Sequence, residues 1–443
     1  MKTLLVLSTL MLAFLANAQV HPDRRWRTLS MEHFELIYDA ENQQLAEIYA
    51  ERLKSMTLPF VDGWKTIPPK TVLVLNDRTD LTNGYATFLP YPMVMIFPVV
   101  PGPMESIGEY HDWAWEISAH EYVHILEFSQ RRGLVWGLSY IFGSIMTPNA
   151  LLPRWSLEGA AVEAETRFSK GGRLRSKMQA GTLRALQLAG RLESLRQAEI
   201  NEFAIPTYPF GARPYLFGSL LWADWIHTYG DKATRELHHN TGGRIPYLLD
   251  GAFQPVFEGQ GAVELFYKTK NKMVNAAQAE IETLAAVPLT AGTKVDPEMF
   301  ESLSPSMSPD GLKLAYIAKN AALRRRVQVL VRPTAETAFD PSHRIQWFGR
   351  EFDQSMPSGS PIPRASGDLV GDVSRARHGD DGNDHGGGDD GPPGGNINRI
   401  SWHPGSNSFI FDQVLERNRF QEMSDIWSFD LGSGKATRIT TEA

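Results

Sequence analysis

The stretch from Trp113 to Ser129 reads WAWEISAHEYVHILEFS. It contains no Pro or Gly, and Trp113, Ile117, Val123, Leu126 and Phe128 can supply buried contacts, so the run predicts a helix. Residues four apart share a helix face, one turn above each other. His120 and His124 can therefore hold one metal ion between their imidazoles. Glu121, beside the first of them, can turn its carboxylate toward a water in an open metal position. The same five residues, His120-Glu121-Tyr122-Val123-His124, also occur by chance in helices that bind nothing, with both imidazoles bonded to backbone. A third ligand downstream separates the two cases.

Glu127 lies three residues after His124, but on one helix it rises ~4.5 Å further from the metal and would have to reach back. A second zinc pattern needs Gly three and His six residues after the second histidine, where Glu127 and Gln130 stand, so it is excluded. The better third ligand is Glu158. It belongs to LPRWSLEGAAVEAE, residues 152–165, where Pro153 and Ser156 signal a helix start and an Ala/Glu-rich run follows. In the first turn its carboxylate is favoured by the helix dipole and can cross to a metal. Glu165, two turns later on the same face, is a candidate acceptor for the second ring N–H of a ligand histidine. Glu163 reads as part of a solvated face. Tyr208 and Tyr215 fall where a phenol could donate to an oxyanion, although ordinary core or rim tyrosines are the preferred reading. His227, His238 and His239 show no site spacing and read as surface or packing residues.

The 443-residue chain has a formal net charge of -7, which argues against nucleic acid as a partner. Residues 1–18 read as a signal peptide: Lys2, an apolar run from Leu4 to Leu15, then Ala16-Asn17-Ala18 with cleavage after Ala18. The expected address is periplasmic or extracellular. With no cysteine, disulfides and lipidation at that site are excluded. From Gly133 to Leu152 no residue is charged. Gly133, Gly137, Gly143 and Pro148 argue against a membrane span there; a loop or short helix wrapped on the core is expected, with membrane-surface contact as the alternative.

Before the His120 helix, residues 33–38, 70–75, 85–88 and 93–97 predict strands of one small sheet, with Asn83-Gly84 as a turn and 41–56 as a helix. A strand beside the cleft, at Tyr85 and Ala86, could pair with an extended peptide, or could be purely structural. Residues 170–267 read mostly helical, with segments at 178–195, 213–229 and 261–284. A linker at 291–298 leads to 299–443. There SMSPDGLKLAYI (306–317) is echoed by ISWHPGSNSFIF (400–411) as a turn entering a strand, in the manner of β-propeller blades. The Gly/Asp/His-rich segment 371–395 between them reads as a disordered loop.

His120-Glu121-x-x-His124 joined to Pro153-Arg154-Trp155-x-x-Glu158-Gly159-x-Ala161 resembles the gluzincins, specifically the peptidase MA group. Asn83-Gly84-Tyr85-Ala86 and Gly211-x-x-x-Tyr215-Leu216 resemble that group more loosely, and the C-terminal copies are similar to TolB-type propeller repeats. The resemblance implies an α+β, thermolysin-like peptidase domain over 19–290 and an incomplete propeller over 299–443. It implies one Zn2+ held by His120, His124 and Glu158, Glu121 as general base and acid, and a peptide or protein substrate. The exopeptidase element Gly-x-Met-Glu-Asn is missing, which favours an endopeptidase. The alternative is a non-catalytic scaffold that uses the blades to bind a cell-envelope partner.

Overall fold

The computed structural model describes residues 24–440 apart from 103–106, 202–206, 246–247, 289–291, 293–294, 296–300, 320–324, 341–343, 348–395 and 419–420. The expected signal peptide, most of the linker and the loop 371–395 lie outside the described residues. The chain is mixed α/β with three sheets, none of which closes on itself among the described residues, and it divides into two compact units, residues 1–289 and 290–443.

The first unit opens with β1 (Trp26–Ser30), β2 (Phe34–Asp39), α1 (Gln43–Val61), β3 (Thr71–Leu75), β4 (Thr82–Thr87) and β5 (Met93–Pro98). The sheet order is β1-β2-β3-β5-β4, with β2, β3 and β5 parallel and both outer strands antiparallel. Alternation along the central strands sends Phe34, Leu36, Leu73, Leu75, Val94 and Ile96 to one face, packed on Tyr49, Leu53 and Met56 of α1. Against the same core lie Tyr122, Val123 and Leu126 of α2 (Trp113–Ser129). Two expectations need correction here. Asn83-Gly84 is no turn but part of β4, the sheet edge. The first helix also runs past residue 56 to Val61, because Phe60 is buried against Trp115 and Phe168.

After α2 come α3 (Gly133–Phe142), α4 (Arg154–Arg167), α5 (Lys177–Leu188), α6 (Arg213–Tyr229), α7 (Lys232–Thr241) and α8 (Ala262–Ala285). Trp155, Leu216, Leu221, Trp222, Trp225, Leu237, Phe253, Phe257 and Phe266 form a second core. α5 stops well short of residue 195 because Gly190 takes a positive φ of 67° that ends the helix. α3 is not wrapped on the core: none of its ten residues is buried.

The second unit holds two antiparallel four-stranded meanders. One is β6 (Glu301–Met307), β7 (Lys313–Lys319), β8 (Arg325–Val331) and β9 (Arg344–Trp347). The other is β10 (Asn396–Trp402), β11 (Ser408–Asn418), β12 (Gln421–Asp430) and β13 (Lys435–Arg438). The repeated turns are the same object. Ser308 N donates to Lys313 O at 2.8 Å and His403 N to Ser408 O at 2.9 Å. Gly311 N returns to Ser308 O and Ser406 N to His403 O, with φ of 71° and 58° at the equivalent fourth positions.

Candidate metal centre

The cap of α2 fixes its first turn: Asp112 accepts from Trp115 N at 3.1 Å and from Arg52 Nε of α1 at 2.6 Å. Two turns on, His120 and His124 meet edge to face with ring centroids 5.0 Å apart. α4 crosses α2 so that Glu158 Oε2 lies 3.3 Å from Nε2 of each histidine. One ligand atom from each of the three residues falls within 4.8 Å of the others, so the group could hold a metal ion. Both Nε2 atoms approach Glu158 Oε2, while both Nδ1 atoms are engaged by other carboxylates.

His120 Nδ1 meets Glu165 Oε2 at 3.0 Å, where the sequence placed it. Glu165 is in turn gripped by Arg173, Nε to Oε1 at 2.8 Å and Nη2 to Oε2 at 2.7 Å. Burial opposes the Glu165 charge, but Arg173 and then His120 outweigh it and hold the carboxyl at about 2. His124 Nδ1 meets Glu127 Oε2 at 2.9 Å. Glu127, weighed as a ligand and set aside, is therefore the partner of a candidate ligand, which needs no reach back along the helix. Its other oxygen faces His238 Nε2 at 3.1 Å, while His238 Nδ1 donates to Thr234 O at 2.7 Å. Both Glu127 and His238 are wholly buried. Burial raises the Glu127 carboxyl and the two histidines more than reverse it, so it is held ionised.

Burial also disfavours charge on the metal-facing groups, yet their mutual contacts win: Glu158 is held well below the usual carboxylate range, and His124 well above the usual imidazole range. Glu121 is buried, and desolvation pushes its carboxyl up. Gly84 of β4 makes room for it, since a Cβ there would stand 3.1 Å from Glu121 Cγ and Oε1. Arg154 Nη2 and Tyr215 OH both donate to Glu158 Oε1, at 2.7 and 3.0 Å, leaving Oε2 to the histidines.

A cleft of about 700 Å³ opens over these groups, lined by His120, Glu121, His124, Glu158, Tyr215 and, along β4, Thr82 to Ala86. The structure thus brings Tyr85, Ala86, Glu165 and Tyr215 to the three candidate ligands. Tyr208 lies apart, with its hydroxyl 2.9 Å from Thr182 Oγ1, and does not line the cleft. Glu163, expected in solvent, is buried and paired with Arg167 at 2.9 Å, because α4 is covered on nearly every side. Arg173 escaped sequence reading, although a signal preceded it. Gly171 and Gly172 admit the backbone where a Cβ would stand 2.4 Å from His111 N and from Thr166 Oγ1, and the turn delivers Arg173 to Glu165.

No protein-family model matches the chain, and no curated protein matches it.

Proposed function

We propose that the chain is a zinc-dependent hydrolase of peptide bonds, most simply an endopeptidase of gluzincin type with a thermolysin-like first unit. The observation that carries this reading is the convergence of His120, His124 and Glu158 within 4.8 Å, beside a buried Glu121, in a cleft bordered by an edge strand. Two imidazoles and a carboxylate make a donor set suited to Zn2+ with an open position. When bound, zinc supplies Lewis acidity, lowering the pKa of a water toward ~7 and polarising a carbonyl.

The chain's own residues do the rest. Glu121, its carboxyl raised by burial, takes the proton of the attacking water and passes it to the leaving amine. Glu165 and Glu127 fix the ring orientation of His120 and His124. Tyr215 and Arg154 hold Glu158 and stand at the cleft wall, where their donors can meet an oxyanion. β4 offers unpaired backbone groups along the cleft, so an extended peptide can add to the sheet there. The two meanders are read as TolB-type blades, and the leader as delivery to the periplasm or outside.

The test is cleavage profiling of a mixed peptide library by mass spectrometry, with the zinc-loaded protein beside Glu121→Gln and metal content measured for both. Cuts that vanish in a variant retaining its zinc support the proposal. A zinc-loaded protein whose cuts persist in Glu121→Gln refutes the role of Glu121. Uncut libraries from both proteins would favour the scaffold alternative.

A further inference from the structure

Residues 133–152 form a second, unrelated feature. α3 carries Leu134, Val135, Trp136, Leu138, Tyr140, Ile141 and Phe142, interrupted only by Gly137 and Ser139. Leu134, Tyr140 and Ile141 are 78, 75 and 76 % exposed, and Ile145 and Leu151 beyond the helix are exposed as well. A helix apolar all round is ordinarily buried on every side. This one is half-buried only along Val135, Leu138 and Ser139 and exposed on the rest of its surface. Protein partners cover a stripe of a helix, whereas the exposed side here, with Leu134, Trp136, Tyr140, Ile141 and Phe142, is broader than one stripe. A lipid layer can cover all of that side at once.

Three further observations agree. Trp136 and Tyr140 form an edge-to-face pair at 5.0 Å, the residue types that settle at the headgroup level. Arg132 opens the segment, and after burial both it and Lys65 lower the His239 imidazole. Lys65 and His239 line a cavity with Lys232, Arg235 and one carboxylate, Glu236, so cations outnumber acids there. A basic rim beside an apolar helix suits anionic headgroups. Finally, no helix among the described residues is long and apolar enough to cross a membrane, and α3 at ten residues spans about 15 Å, so it can enter one leaflet only.

We infer that α3 docks the protein onto an anionic lipid bilayer, inserting among the acyl chains while the basic rim meets the headgroups. The active-site cleft follows it to the surface, because Phe128 and Ala150, on either side of this segment in sequence, line that cleft. Lipid docking stands whether or not the cleft is hydrolytic, since it is read without substrate.

Flotation with phosphatidylcholine vesicles, with and without phosphatidylglycerol, tests it, using the chain freed of residues 1–18 so that the leader cannot insert. The wild type floats with the anionic vesicles, and the triple variant Leu134→Ser, Tyr140→Ser, Ile141→Ser lowers the bound fraction by about tenfold or more. These side chains are exposed, so fold and zinc content stay unchanged. In a second measurement, brominated lipid quenches Trp fluorescence of the wild type, and Trp136→Phe, which floats normally, loses that quenching. The inference is overturned if the wild type floats with neither vesicle, if the triple variant floats equally, or if quenching survives in Trp136→Phe. Sedimentation showing a wild-type dimer that the triple variant dissociates, without vesicle binding, would overturn it in favour of self-association.

Discussion

Gly159 and Gly218 meet backbone to backbone where α4 crosses α6: a Cβ on Gly159 would stand 2.3 Å from the carbonyl carbon of Gly218. The neighbours of this contact belong to the candidate site. Glu158 precedes Gly159, and Tyr215 lies one turn before Gly218, so the crossing sets the 3.0 Å reach from phenol to carboxylate. Gly159→Ala or Gly218→Ala forces the helices apart. We expect a stability loss of about 1–3 kcal/mol and weaker zinc binding in each, read by denaturant unfolding and metal titration. Unchanged zinc affinity in both would show that the crossing does not position Glu158.

Arg173 meets the centre through Glu165 and also directly, its Nη2 lying 2.7 Å from His120 Nδ1, while Glu165 meets it at the same ring nitrogen. Glu165→Gln removes the ionised acceptor from His120 Nδ1. A loss of about 10–100-fold in zinc affinity is expected. Arg173→Met should give a smaller loss of the same kind, and the double variant should fall short of the sum, as residues in one network do. Additive losses would separate the two.

His238 is tied to the centre through Glu127. His238→Phe keeps the ring between Trp64 and Trp222 but leaves Glu127 Oε1 buried without a partner. Breaking such a pair is expected to cost about 3–5 kcal/mol of stability. Glu127→Gln should weaken zinc binding more than His238→Phe does, because it alone alters the acceptor of His124 Nδ1. Equal stability of wild type and His238→Phe would contradict the pairing.

Asp310 gives a pH dependence in the second unit. Ser308 Oγ and then Leu312 N, with Lys313, hold its carboxyl below the ordinary range. A depressed pKa in the folded state means stability that is present above the unfolded value of about 4 and lost as pH falls. Asp310→Asn should therefore melt earlier than wild type at pH 7, and the gap should hold down to about pH 4 and begin to narrow below it. Calorimetry across pH 7 to 3 reads this, and a gap independent of pH would refute it.

Much of the centre was legible because its signals are local. His120, Glu121 and His124 are fixed by helical spacing, and Glu158 by a helix start, so their convergence needed only that α4 cross α2. Gly84 was misread for a physical reason: its lack of a side chain serves Glu121 across the cleft, a long-range demand that looks like a turn in one dimension. Glu163 and His238 were placed in solvent or bland packing because helix periodicity marks faces and cannot say how many are covered. The exposure of α3 was hidden by the same limit, since an apolar run reads as buried. The blade-like turns were the reverse case, where equal hydrogen bonds in both copies follow from short, similar strings of residues.

Asn149 is the point where the apolar segment rejoins the body of the unit. Its side-chain Nδ2 donates to Glu127 O at 2.9 Å and to His238 O at 2.8 Å, from a wholly buried position. One amide thus clasps the backbones of Glu127, which meets His124, and of His238, which meets Glu127. A mechanical load on α3, such as a tug from the surface on which it rests, passes through residues 143–148 to that clasp. The helix that carries the candidate ligands is in this sense moored to whatever holds α3, and slack or tension in the mooring would be felt as a change in the orientation of one imidazole.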